Sequence, residues 1–112
     1  MAGPVRPLFR WDGPYWGFVA GDALYDRYGR HVGWLDGRDA YHRSGRFMGE
    51  LREGGYVLRD TLRAEPIHLA PRAAVPHPAP PAPMPDRDAR DPIDGWVDAL
   101  PWPLPPPEPP RV

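Results

Sequence analysis

The chain has no cysteine and no lysine, and a single serine, Ser44, among 112 residues. Without cysteine there are no disulfides and no thiolate metal sites, and nothing points to an oxidising compartment. With no cysteine nucleophile, and the lone serine in a Ser-Gly turn, covalent catalysis lacks a candidate. All 14 basic residues are arginine, which we read as the mark of a GC-rich genome rather than of function. No apolar run is long enough for a signal peptide or a bilayer span, so a cytoplasmic location is expected. An excess of charge is missing too: residues 1–70 hold 10 arginines against 9 acids, and residues 71–112 hold 4 against 6. General electrostatic binding to nucleic acid or anionic lipid is not favoured by such a balance.

Proline, by contrast, is abundant. Of 19 prolines, 15 fall in residues 71–112. A segment so poor in backbone donors builds neither helix nor sheet, and is expected to be extended and largely disordered. The foldable part is then residues 5–69. A Pro-rich extended linker follows over 70–92, a short Trp-containing docking motif over 93–102, and a Pro-rich disordered end over 103–112. A domain this small is marginal and must pack efficiently or find a partner.

Within the foldable part the text repeats every sixteen residues. The copies align at Gly17, Gly33 and Gly49, and the first two share Tyr25/Tyr41, Arg27/Arg43, Gly29/Gly45 and Arg30/Arg46. Stepping back sixteen places Phe9 in the tyrosine column and Gly13 in the Gly29/Gly45 column, so a degenerate half-copy comes first. Val57 falls in the tyrosine column of the third copy. Such periods mark stacked or circularly arranged supersecondary units. Asp36-Gly37 and Ala20–Asp22 suit tight hairpin turns, and the turns at Gly29 and Gly45 place glycine at a left-handed position. Strands are expected near Leu8–Trp11, Tyr15–Val19, Ala23–Asp26, His31–Leu35, Ala40–Arg43, Phe47–Leu51 and Tyr56–Arg59, with an eighth in Ile67–Leu69. The fold class is all-β, a meander of hairpins with a pseudo-fourfold repeat.

Alternation along the strands puts Val19, Leu35 and Leu51 on one face with the repeated glycines, where Tyr25, Tyr41 and Val57 would join them. The other parity carries Trp16, Phe18, Val32, Trp34 and Met48. A half-buried strand should be polar on its second face, and here that face is aromatic. These five residues are therefore the candidate binding surface.

The Tyr–x3–Gly–Arg–x2–Gly rhythm of Tyr25/Gly29/Arg30/Gly33 and Tyr41/Gly45/Arg46/Gly49, followed by Gly-Tyr-Val-Leu-Arg, resembles the 4-fold beta flower proteins. The resemblance covers roughly Pro7 to Arg59. It implies a small bacterial domain of four β-hairpin petals around an axis, with a proline-rich tail ending in a motif like Gly95–Leu100. It implies no activity and no catalytic residues.

Chemistry-bearing constellations are sparse. His31, His42, His68 and His77 lack ligand spacing, so no metal or cofactor is expected. His42 with Asp39 could form a base and its orienter, but a histidine beside a hairpin turn is ordinarily a solvated polar residue. An enzyme is not expected. Trp96, Val97 and Leu100, an apolar island between proline-rich stretches, form the candidate docking motif, facing one side of a short helical turn that Pro101 would end. The function expected is a non-enzymatic binding or self-assembly module. Its partners would be the chain itself, as a homo-oligomer or through tail docking, or another protein. An alternative is an aromatic and arginine-bearing sheet surface for single-stranded nucleic acid or carbohydrate, although nucleic acid is disfavoured by the balancing acids. Another is a peripheral membrane-surface adaptor.

Overall fold

Short strands of aromatic and branched residues, punctuated by glycine turns, have one economical arrangement, in which each strand folds back on its predecessor. The computed structural model describes residues 5–75, 77 and 79–107 and follows that arrangement. Its strands are β1 (Val5–Phe9), β2 (Tyr15–Ala20), β3 (Ala23–Asp26), β4 (His31–Asp36), β5 (Asp39–His42), β6 (Phe47–Arg52), β7 (Tyr56–Asp60) and β8 (Trp96–Asp98). There is no helix among the described residues. The expected eighth strand at Ile67–Leu69 does not form, and its place is taken by Trp96–Asp98.

Strands β1 to β7 pair antiparallel in sequence order. An odd number of strands can close only through one parallel contact, and Phe9 of β1 meets Tyr56 of β7 in that way. The backbone amide of Phe9 donates to the Gly55 carbonyl at 2.8 Å across the join. The result is a closed seven-strand, all-β barrel, which leaves almost no free sheet edge.

Three β-bulges repeat at the sixteen-residue spacing. Leu8 pairs with Gly17 and Phe9 with Tyr15, so Trp16 is an extra residue. Val32 and Met48 are extra in the same way opposite β3 and β5. A bulge shifts the facing of the residues on its two sides. Trp16, Val32 and Met48 therefore turn into the barrel with Val19, Leu24, Leu35, Ala40 and Val57, while Phe18 and Trp34 lie on the outside. The even alternation expected from the sequence fails at these three sites.

The third hairpin adds a further correction. Its Gly54-Gly55 turn is one residue longer than its counterparts, so Leu58, opposite Glu50, takes the place held by Tyr25 opposite Phe18 and Tyr41 opposite Trp34. Val57 faces the interior with Leu8, Val19 and Leu24, as the alternation predicts, but it is not the counterpart of the two tyrosines. Tyr25 and Tyr41 stack on Phe18 and Trp34, with ring centroids 5.1 and 5.8 Å apart, on the outer surface rather than beside the aliphatic core.

Candidate functional site

Beyond β7 the chain becomes an extended strap around one end of the barrel. The backbone amides of Leu69, His77 and Arg87 donate to the carbonyls of Gly45, Gly29 and Gly13 at 2.9, 2.8 and 2.8 Å. The strap thus visits the repeated turns in reverse order. Thr61 closes the circuit by donating from its amide to the Gly95 carbonyl at 2.7 Å. Gly13, Gly29 and Gly45 have φ of 118°, 84° and 91°, a region that side chains avoid. A Cβ on any of them would also run into the backbone of Arg87, His77 or Leu69. This glycine column therefore shapes the turns and lets the strap lie flush against them.

Strap side chains cover the outer aromatics. The Arg72 guanidinium stands 4.0 Å from the Trp34 ring centroid, Arg63 4.8 Å from Phe47 and Arg87 3.7 Å from Phe9. His77 sets its ring edge-on to Phe18 and Tyr25 at 5.2 and 5.3 Å. Each cation over a ring contributes about 0.5–2 kcal/mol, rising as the pair loses water. Trp16, Phe18, Val32, Trp34 and Met48 consequently do not form one open surface. Trp16, Val32 and Met48 line the core, and Phe18 and Trp34 are 0% and 3% exposed beneath the strap.

The second candidate, the motif around Trp96, forms a strand rather than a helical turn. Strand β8 pairs antiparallel with the distal half of β7, in register Asp98–Leu58, Val97–Arg59 and Trp96–Asp60. It occupies the seam where β7 has run past the end of β1. Trp96 is half-buried, with Arg52 stacked 4.5 Å above it. Val97 points outward and is half exposed. Leu100 enters the barrel and joins the core with Leu8, Trp16 and Val57.

Polar groups unnoticed in the sequence fasten this segment. The Asp98 carboxylate accepts from the Trp11 amide at 2.9 Å and faces the Arg10 guanidinium at 3.5 Å. Arg10 donates to the Leu100 carbonyl at 2.6 Å, and the Trp16 indole N–H to the Pro101 carbonyl at 2.9 Å. Three of these four contacts use a main-chain donor or acceptor, which nearly any residue type supplies, so no local pattern in the sequence announces them.

The suggested pairing of His42 with Asp39 does not form. Arg63 holds both oxygens of Asp39, at 2.9 and 3.1 Å. His42 instead organises its own turn, with Nδ1 accepting from the Ser44 amide at 3.1 Å. Asp26 does the same work one repeat earlier, accepting from the amides of Tyr28 and Arg30. Burial, and then the charge of Arg43, push the His42 pKa below its ordinary 6.5. The unfolded chain therefore binds the His42 proton more readily than the fold does. The stability that neutral His42 contributes is complete above pH 6.5 and is lost as pH falls through its lowered folded value. Thermal melts at pH 7.5 and 5 should show a larger loss for the wild type than for His42→Asp, which copies Asp26. Equal losses would remove His42 from the pH response.

The family model described as 4-fold beta flower protein matches residues 6–110. No curated protein and no solved structure matches the chain. The family match runs well beyond the hairpins that carry the sequence resemblance, taking in the strap, β8 and Leu100. The match covers nearly the whole length, and the all-β barrel is consistent with it: the chain belongs to the 4-fold beta flower proteins.

Proposed function

We propose that this chain is a non-enzymatic binding module whose barrel seam accepts an extended strand. Residues 95–100 of the chain itself fill that seam in cis, and the same fit made in trans would join two copies. The observation that supports this reading is Leu100, which lies 2% exposed in the barrel core although about forty residues of chain separate it from β7. Main-chain pairing supplies affinity in strand addition, and pockets for alternate side chains supply selectivity. Here Leu100 is the anchor in the pocket and Asp98 reads Arg10 and the Trp11 amide.

Cutting the folded chain tests the idea without removing the strand first. A protease recognition sequence inserted beside Met84, which is exposed, should be cleaved in the native protein. The two fragments should then stay together through gel filtration at micromolar concentration, and Leu100→Ala should let them separate. Complete separation of the wild-type fragments after cleavage would defeat the proposal.

A further inference from the structure

The end of the barrel away from the turn glycines that carry the strap opens into a cleft of about 870 Å3. This is within the range of pockets that take small organic molecules, roughly 300–1,000 Å3. Leu8, Val19 and Leu51 contribute the apolar part of its lining. Arg6, Arg38, Arg52 and Arg87 supply positive charge, against Glu50 and Glu53. Several of these groups are already engaged. Arg87 donates to the Gly54 carbonyl and the Tyr56 hydroxyl, Arg52 stacks on Trp96, and Glu50 faces Arg63 at 3.6 Å.

Arg6 and Arg38 differ from the other arginines of the lining. Among the described residues neither makes an ion pair, a side-chain hydrogen bond or a ring contact. Glu53 is likewise without a partner among the described residues. Arg6 precedes the core residue Leu8 by two positions in β1, so strand alternation sets it on the inward face at the rim. Arg38 sits in the turn between β4 and β5, where it is part of the same lining. Two guanidinium groups without a partner among the described residues, beside the apolar Leu51, match a molecule that is anionic at one end and apolar along its body. The planar guanidinium fork fits a carboxylate in two-point contact.

We propose that this mouth binds an apolar carboxylate, with its charged end on Arg6 and Arg38 and its hydrocarbon part against Leu51, above the buried Leu8 and Val19. A free acyl acid and the carboxyl terminus of an apolar peptide both present this chemistry. Arg52 also stacks on Trp96 and Leu8 also packs with Leu100, but Arg6 and Arg38 take no part in the β8 seam, so either reading can fail alone.

Amide shifts of the isotope-labelled full chain can be followed during titration with sodium decanoate. Parallel titrations use decyltrimethylammonium, an apolar hexapeptide with a free carboxyl end, and the same peptide as its amide. Decanoate or the free-acid peptide should shift Arg6, Val19, Gly37, Arg38 and Gly55 saturably, while the cation and the peptide amide leave them in place. A response to decanoate alone identifies an acyl acid, and a response to the free-acid peptide identifies a carboxyl terminus. Replacing both arginines, Arg6→Gln with Arg38→Gln, should weaken binding by about tenfold or more, since each charged hydrogen bond contributes substantially. Because both side chains are exposed, the melting temperature should not move. No saturable shift at the mouth with either carboxylate would overturn the proposal. So would an equal response to the cation, or undiminished affinity in the double variant.

Discussion

A chain ended at Arg90 should melt far below the full chain and bind a hydrophobic dye. Such a truncation removes β8, which completes the hydrogen bonding of β7, and Leu100, which fills the barrel between Leu8, Trp16 and Val57. Emptying a buried leucine site costs about 2–5 kcal/mol. The Trp16 indole N–H and the Arg10 guanidinium also lose their acceptors at Pro101 and Leu100. A buried donor left unpaired costs roughly 1–3 kcal/mol. Against a total stability of about 5–15 kcal/mol for an ordinary domain, these losses consume most of the margin. Light scattering adds a separate readout. A rise in mass would show the vacated seam pairing with a second copy, and an unchanged mass would show a loosened monomer. If melting and dye binding both match the full chain, β8 and Leu100 are not part of the cooperative core.

Gly33→Val should produce the second large loss, for a different reason. The Gly33 backbone has no unusual φ, so no conformational strain attaches to the position. Space is the constraint, because a Cβ would fall well inside contact distance of the Tyr41 carbonyl oxygen on the paired strand. The neighbour is backbone within a hydrogen-bonded ladder and cannot rotate away. Strands β4 and β5 would have to part, at about 3 kcal/mol or somewhat more. In a domain of this size that lowers the melting temperature by roughly 10–20 °C. Gly21→Ala provides the contrast. Nothing lies within 4 Å of a Cβ there and φ is 63°, so only the backbone term remains. That term is about 1–2 kcal/mol for a left-handed residue. If Gly33→Val melts with the wild type, or costs no more than Gly21→Ala, close strand approach is not why glycine occupies that column.

The amino-acid sequence by itself determined the hairpins, their period and the inward face of Val19, Leu35 and Leu51. These depend on local properties: a glycine at positive φ sets a turn, and alternation sets a face over the few residues between turns. Tertiary structure decided the rest. Whether Trp16 faces the core or the outside depends on how many residues the partner strand supplies, and the bulge opposite Leu8 and Phe9 is a property of the pair. Likewise, one added turn residue at Gly54-Gly55 exchanged the roles of Val57 and Leu58. The strap was least legible of all. It meets the barrel through amides and carbonyls at Leu69, His77 and Arg87, spaced without a period and carrying three different side chains. Backbone groups are the same at every residue, so only the closed barrel, by presenting three glycine carbonyls in a ring, could select which part of the tail each turn receives.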